Sequence, residues 1–179
     1  PVAPPPPPPP RPEVVAGVDA RELVPWTGTC FAAKIELDQF DEAGDAGGVA
    51  TRSTPAEWQP WFEPGASVAF RRTVPLPMGV ILEEGGGGAI VVAEVVEGSA
   101  GERADVRVGD VLRACSAVTR GIRYGGAAAP EAGSAPELRR TLVPCDMQPF
   151  DDVMDSVRSN LDAPVGDPEV VLILERGIK

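Results

Sequence analysis

Two runs decide the fold: Pro77-Met78-Gly79-Val80-Ile81-Leu82 and, further along the chain, Gly109-Asp110-Val111-Leu112. The first run predicts a tight loop that enters a strand, because a glycine precedes an apolar, partly β-branched run. The second predicts a turn that starts another strand, because glycine turns the chain and aspartate caps it. Between them, Gly85 to Gly88 predict a flexible turn, and Gly98-Ser99-Ala100 predict the start of a helix.

Working outward from this loop, apolar alternation predicts further strands. The predicted strands cover 67–74, 80–84, 90–96, 111–117 and 169–176, with a short helix over 99–105. Residues 150 to 161 place their apolar members on one face of a 3.6-residue period, which predicts a second, amphipathic helix. The glycine-rich residues 119–144 form a predicted insertion with a strand over 138–143. The fold class is therefore α+β, mainly β, for a domain over 66–179.

The N-terminal part is predicted to be an irregular extension in two segments. Residues 1–12 are proline-dominated and favour a stiff polyproline II conformation, either as a spacer or as a ligand for an aromatic groove on a partner. Residues 13–65 are predicted to be irregular apart from a short strand over 31–37. The acidic, glycine-rich residues 41–48 indicate a loop.

Three aromatic residues, Trp58, Trp61 and Phe62, lie in a proline-bracketed stretch over 55–64. Proline argues against regular structure there. Large aromatic residues in a loop are typical of hydrophobic anchors. Two interpretations stay open: the side chains pack against their own domain, or they anchor into a partner, where tryptophan is enriched at interface hot spots.

Composition excludes several classes of function. The net charge of −11 disfavours nonspecific binding to nucleic acid or anionic membranes and fits basic partners better. The absence of histidine removes Ser-His-Asp and Cys-His catalysis and imidazole metal ligands. Cys30, Cys115 and Cys145 form no CxxC motif, and which pair, if any, bridges stays open. We therefore expect no metal and no cofactor. No apolar run approaches the roughly 20 residues that a helix needs to cross a bilayer.

The motifs resemble those of PDZ domains over roughly residues 67 to 176. The 77–82 run looks like the x-Φ-G-Φ loop, and 97–100 together with 104–112 is similar to the family's "GSpA…AgLkvGDxIl" stretch. Residues 150 to 157 resemble the helix that flanks the PDZ groove. The resemblance implies a partly open antiparallel β-barrel with two helices.

The resemblance also implies a peptide-binding site. A PDZ ligand adds as an antiparallel strand, and its terminal carboxylate accepts hydrogen bonds from backbone N–H groups, here those of Met78, Gly79 and Val80. Arg72 or its neighbour Arg71 would assist the carboxylate through water, or else be a solvated charge. The residues expected to line the groove are Ile81, Phe150, Val153, Met154 and Val157. Because Phe150 stands where many PDZ domains carry histidine, the ligand should be apolar two residues before its end.

Residues 78–119 together with 150–154 look most like plastid PDZ proteins of plants and green algae. This implies a chloroplast protein, stromal or thylakoid-associated, that serves as a scaffold or assembly factor of a photosynthetic complex. The implied partner is a protein, either an apolar C-terminal peptide or a large membrane-bound complex. Two alternatives stay open: a structural subunit whose groove is blocked, and a non-catalytic fragment of a PDZ-bearing protease.

Catalysis itself is not expected. A trypsin-like PDZ protease needs a histidine, and a Ser-Lys dyad needs a lysine in the folded core. Lys34 and Lys179 are the only lysines, and neither follows a nucleophile pattern. The sequence therefore predicts a protein that is not an enzyme.

Overall fold

The computed structural model describes residue 18 and residues 22–39, 50–123, 135–163 and 166–178. Strands dominate these residues, with two α-helices, α1 and α2, and two short 3-10 turns. The strands are β1 Leu23–Val24, β2 Phe31–Gln39, β3 Ala50–Trp58, β4 Ser67–Pro75, β5 Val80–Glu84, β6 Ile90–Val95, β7 Val111–Arg123, β8 Ala135–Pro144 and β9 Glu169–Gly177. The helices are α1 Ala100–Arg103 and α2 Phe150–Ser159, and the 3-10 turns cover Gly86–Gly88 and Asn160–Asp162.

Seven strands form one antiparallel sheet in the order β1-β4-β9-β7-β6-β5, and β8 pairs with β7. Among the described residues, β5 pairs only with β6, so it is an edge strand. The central strand β9 is buried continuously from Val170 to Glu175. Such a run is expected only where both faces of a sheet are covered.

The first face of the sheet packs against α2. Val153 and Val157 enter a core that includes Phe70, Leu112 and Leu172. Ser99 caps α1 by accepting a hydrogen bond from the Glu102 N–H at 3.2 Å, and the Glu102 carboxylate accepts from the Gly98 N–H at 2.6 Å. This reciprocal pair stabilises a helix of only four residues.

The second face is covered by the β2–β3 hairpin, which forms a separate two-stranded sheet. The inward residues of the hairpin include Phe31, Ile35 and Trp58, which pack with Val171 and Ile173 of β9. The prediction of an irregular 13–65 segment is therefore wrong for residues 50–58 and incomplete for β2. Pro55 does not prevent β3 from forming, because among the described residues β3 pairs only with β2, and such a strand tolerates a proline.

The other sequence predictions fare better within the described residues. The α+β, mainly β class is confirmed, the sheets are not closed, and the strands and helices predicted from residue 67 onward are present with small shifts of their ends. The 119–144 insertion is the end of a long hairpin, because β7 continues to Arg123 and pairs with β8 from Ala135. Residues 1–12, 41–48 and 124–134 lie outside the described residues.

Candidate functional site

In the loop before β5, the carbonyl groups and the N–H groups of Met78 and Gly79 differ in their hydrogen bonding. The Met78 carbonyl accepts from the Gly101 N–H at 2.7 Å, and the Gly79 carbonyl accepts from the Val96 N–H at 2.9 Å. Both carbonyl groups are therefore satisfied by the chain itself. Among the described residues, neither the Met78 N–H nor the Gly79 N–H has an acceptor. Backbone N–H groups of this kind need a partner such as water or an anion.

Two glycines fix the position of this loop. Gly79 has a φ of 64°, and a Cβ added there would lie 2.4 Å from the Cβ of Ser99. A Cβ added at Gly101 would lie 2.3 Å from a methyl carbon of Val80. Because helix α1 and the loop touch this closely, a large side chain at Gly79 would disturb the fold as well as the site. A test of binding therefore needs a substitution elsewhere.

Strand β5 presents alternate side chains to opposite faces. Val80 and Leu82 pack with the first core, whereas Ile81 is 46 % exposed. The prediction that Ile81 lines the groove is therefore wrong, because it lies one residue out of register with the inward set. Its neighbours Val80 and Leu82 are the β5 residues that pack with the same core as the α2 residues.

Helix α2 offers a partly open apolar flank. Val153 and Val157 are buried, while Phe150 and Met154 are half-buried against the core that contains Met78 and Val80. The four α2 residues therefore pack in or against one core, and their role as the flank of a peptide groove stays a prediction.

The C-terminal end of α2 is hydrogen-bonded to β7. The Asn160 side chain donates to the Ser116 carbonyl at 2.7 Å and accepts from its hydroxyl at 2.9 Å. The Val118 N–H donates to the Ser159 hydroxyl at 2.9 Å. These hydrogen bonds hold the C-terminal end of α2 against β7.

The start of helix α2 lies near the turn that follows strand β5. The Met147 N–H, just before α2, donates to the Gly88 carbonyl, just after β5, at 3.2 Å. The N-terminus of α2 therefore lies beside the C-terminal end of β5. The other end of β5 carries the Met78–Gly79 loop.

Arg72 does not serve this loop. Its side chain is 5 % exposed, its Nε donates to the Ala104 carbonyl at 2.6 Å, and its guanidinium bonds the Glu22 carboxylate at 2.6 Å. The guanidinium also lies 4.7 Å from the centre of the Phe70 ring. The expectation that Arg72 assists a ligand carboxylate is wrong, because its guanidinium is already bound by Glu22 and Ala104 of the same chain.

A second ion cluster links α1, β7 and β9. Arg176 donates to both carboxylate oxygens of Asp110 at 2.7 and 2.8 Å, and it also bonds Asp105 at 3.1 Å. Burial acts to raise the pKa of Asp105, but hydrogen bonds from Arg107 and Arg176 outweigh it and lower that pKa. This cluster stabilises the turn before β7 and has a structural role.

A buried network of hydrogen bonds and ion pairs holds the aromatic stretch within 55–64 in place. The carboxylate of Glu175, fully buried, accepts from the Ser67 hydroxyl at 2.6 Å and from the Trp61 N–H at 3.0 Å, and it pairs with Arg113. Arg113 also donates to Asp146 at 2.7 and 2.9 Å. Burial acts to lower the pKa of Arg113, but the carboxylates of Asp146 and Glu175 raise it on balance.

The aromatic residues divide between the two interpretations. Trp58 is 6 % exposed inside the second core, and the Phe62 ring lies 3.4 Å from the place a Gly177 Cβ would occupy. Trp61 is 36 % exposed and lies 6.0 Å from the guanidinium of Arg113. Packing against the chain's own domain therefore accounts for Trp58 and Phe62, and partner anchoring stays a prediction for Trp61 alone.

The three cysteines are free thiols. Cys115 and Cys145 are fully buried in the first core, and Cys30 is half-buried beside Thr27. Hydrogen bonding to Cys115, reinforced by burial, raises the pKa of the Cys145 thiol. A raised pKa keeps the sulfur protonated and unreactive.

Two surface cavities lie away from β5 and α2. One of about 500 Å³ is lined by charged residues that include Arg71, Arg103 and Glu22, and one of about 230 Å³ lies beside Trp58 and Leu142.

Within the described part of the chain, no group of three His, Cys, Asp or Glu residues could hold a metal ion. In the same residues, no helix combines the length and the apolar character needed to cross a membrane.

Compared with protein-family models, curated proteins and solved structures, the chain has no significant match.

Proposed function

We propose that this chain is a non-catalytic protein-interaction domain of the PDZ type, which binds the C-terminal segment of a partner along β5. The observation that carries the proposal is the combination at one place of a free strand edge and two N–H groups without acceptors in the described chain. A peptide strand would pair with the edge, and its carboxylate would accept from the N–H groups of Met78 and Gly79.

The order of elements supports this class of protein. Strands β4, β5 and β6 are followed by the short helix α1, the hairpin β7–β8, the longer helix α2 and the closing strand β9. This order agrees with the sequence resemblance over 67–176. The half-buried side chains of Phe150 and Met154 offer apolar surface for side chains of the bound peptide.

The cellular setting is part of the same proposal. The resemblance of residues 78–119 and 150–154 to plastid PDZ proteins favours a chloroplast scaffold or assembly factor. Its partner would then be a subunit of a photosynthetic complex with an exposed, apolar C-terminus.

The proposal predicts that binding depends on a free carboxylate. A dye-labelled peptide that ends in apolar residues should bind with Kd of about 1–100 μM, measured by fluorescence anisotropy. The same peptide with an amidated terminus should bind more weakly, by about tenfold or more, because charge-assisted hydrogen bonds contribute about 1.5–3 kcal/mol each.

Met154→Gln should weaken binding of the free acid by about fivefold through lost apolar contact.

A matched variant makes this test specific. Ile178 is 41 % exposed just after β9, and β9 is separated from β5 by β7 and β6 in the sheet. Ile178→Gln should therefore leave peptide binding unchanged. Equal binding of acid and amide peptides, or equal effects of the two substitutions, would contradict the proposed site.

A further inference from the structure

The larger of the two surface cavities lies between the end of α1 and strand β4. Its volume of about 500 Å³ falls within the range of small-molecule sites, about 300–1,000 Å³. We call it the arginine cavity, because three arginines line it together with two carboxylates and a hydroxyl: Arg71, Arg72, Arg103, Glu22, Asp105 and Thr73.

The guanidinium of Arg72 has unused hydrogen-bond donors on the wall of this cavity. Its side chain is 5 % exposed and carries five N–H groups. Three of them are used: Nε donates to the Ala104 carbonyl, and Nη1 donates to the Glu22 carboxylate and the Arg71 carbonyl. Among the described residues, Nη2 makes no hydrogen bond, and a carboxylate oxygen of Asp105 lies 3.7 Å from it. A buried cation with unused N–H groups needs an acceptor, which a bound anion would supply.

The other two arginines of the cavity have donors to spare as well. Arg71 is half-buried, and its side chain makes no hydrogen bond or ion pair with any described residue. Arg103 is exposed and uses only Nη1, which donates to the Gly98 carbonyl. Since the whole chain has a net charge of −11, three arginines around one cavity are a local exception to its charge.

The two carboxylates of the cavity differ in their remaining capacity. Both oxygens of Asp105 are occupied, because Oδ1 accepts from Arg107 at 2.7 Å and Oδ2 accepts from Arg176 at 3.1 Å. Glu22 accepts from Arg72 through Oε2, whereas its Oε1 has no donor in the described part of the chain. The cavity therefore offers cationic donors together with one carboxylate oxygen that still accepts.

From this geometry we infer that the arginine cavity binds a small phosphorylated polyol, such as a sugar phosphate. The phosphate oxygens accept from the three guanidinium groups, which match phosphate in charge and shape. A ligand hydroxyl donates to the free oxygen of Glu22. A phosphate on a lipid headgroup has the same chemistry, but the net charge of −11 opposes approach to an anionic bilayer, so the ligand is a free molecule. This inference does not depend on peptide binding along β5.

Calorimetric titration of the intact chain at low ionic strength tests the ligand class. Glucose-6-phosphate should bind with a Kd of about 0.05–1 mM, as expected for two or three charge-assisted hydrogen bonds. Inorganic phosphate should bind at least about threefold more weakly, because it lacks the polyol, and glucose should not bind. Equal binding of glucose and glucose-6-phosphate, or no binding of either, would overturn the inference.

Substitutions in the wall locate the site without disturbing Arg72, whose contacts stabilise the fold. Arg71→Gln with Arg103→Gln should weaken binding of glucose-6-phosphate by about tenfold or more. Thr73→Glu should do the same, since it adds a negative charge at an exposed lining residue whose side chain has no partner among the described residues. This single variant keeps the test decisive if the double variant unfolds, which circular dichroism would show.

A matched control removes the same charge elsewhere. Arg52 and Arg158 are exposed on β3 and α2, so Arg52→Gln with Arg158→Gln should leave the affinity for glucose-6-phosphate within about twofold. An equal loss in this control would overturn the inference, because the effect would then come from net charge. Unchanged binding by Thr73→Glu would also overturn it.

Sedimentation with vesicles of phosphatidylcholine and phosphatidic acid in equal parts distinguishes the two sources of phosphate. The chain should stay in the supernatant. Binding to these vesicles without binding of glucose-6-phosphate would overturn the assignment to a free ligand. The peptide experiments are separate, so failure of peptide binding would remove the proposed function and leave this site standing.

Discussion

Arg113→Ala should lower the free energy of unfolding by about 3–5 kcal/mol, because it leaves a fully buried carboxylate without its positive partner. Glu175 has no exposed surface, and its other recorded donors are neutral: the Ser67 hydroxyl and the N–H groups of Trp61 and Phe62. Neutral donors do not replace a cation in a low-dielectric interior. Urea unfolding followed by circular dichroism measures the change.

A surface pair provides the control for this prediction. Arg158 bonds Asp155 at 3.1 Å, but both side chains are largely exposed, so Arg158→Ala should cost less than about 0.5 kcal/mol. In the double variant Arg113→Met with Glu175→Leu, the cost should fall below that of Arg113→Ala alone. A cost below about 1 kcal/mol for Arg113→Ala would show that the buried network does not stabilise the fold.

Trp58→Ala should also be costly, at about 3–5 kcal/mol, because the indole fills the contact between the β2–β3 hairpin and the main sheet. It is 6 % exposed and packs in the same core as Phe31 and Ile173. The same unfolding measurement applies, with hydrogen exchange of β2 amides to show whether the hairpin loosens first.

Trp61 is the comparison within the same segment. Its indole is 36 % exposed and contacts the surface of Arg113, so Trp61→Ala should cost clearly less than Trp58→Ala. If Trp58 were instead an anchor for a partner, its removal would leave the stability of the isolated chain almost unchanged. That result would contradict the two-layer packing.

Local patterns were sufficient to predict the elements from residue 67 onward. Strands such as β5 and β9 combine β-branched residues with clear ends, and α2 has an apolar stripe with acidic residues in its first turn. The same stripe predicted that Phe150, Val153 and Met154 share one face, and all three pack in or against the first core. These features depend on a few adjacent residues, which is why sequence reasoning finds them.

Features that depend on distant residues were missed. Arg113 and Glu175 are 62 residues apart, and no local pattern shows that they meet. Arg72 lies near the loop in sequence, yet its long side chain reaches Glu22 instead. One signal for the second layer was present: the unbroken apolar run from Val170 to Leu174 indicates a strand covered on both faces, and therefore a hairpin upstream to cover it.

The most direct test of peptide binding at β5 is an amide NMR titration of the nitrogen-15-labelled chain with an apolar C-terminal peptide. The largest shift changes should fall on the Met78 and Gly79 amides and along β5, and the amidated peptide should leave the Met78 and Gly79 signals almost unmoved. Changes confined to β2 and β3, or equal changes at Met78 and Gly79 with both peptides, would contradict the account.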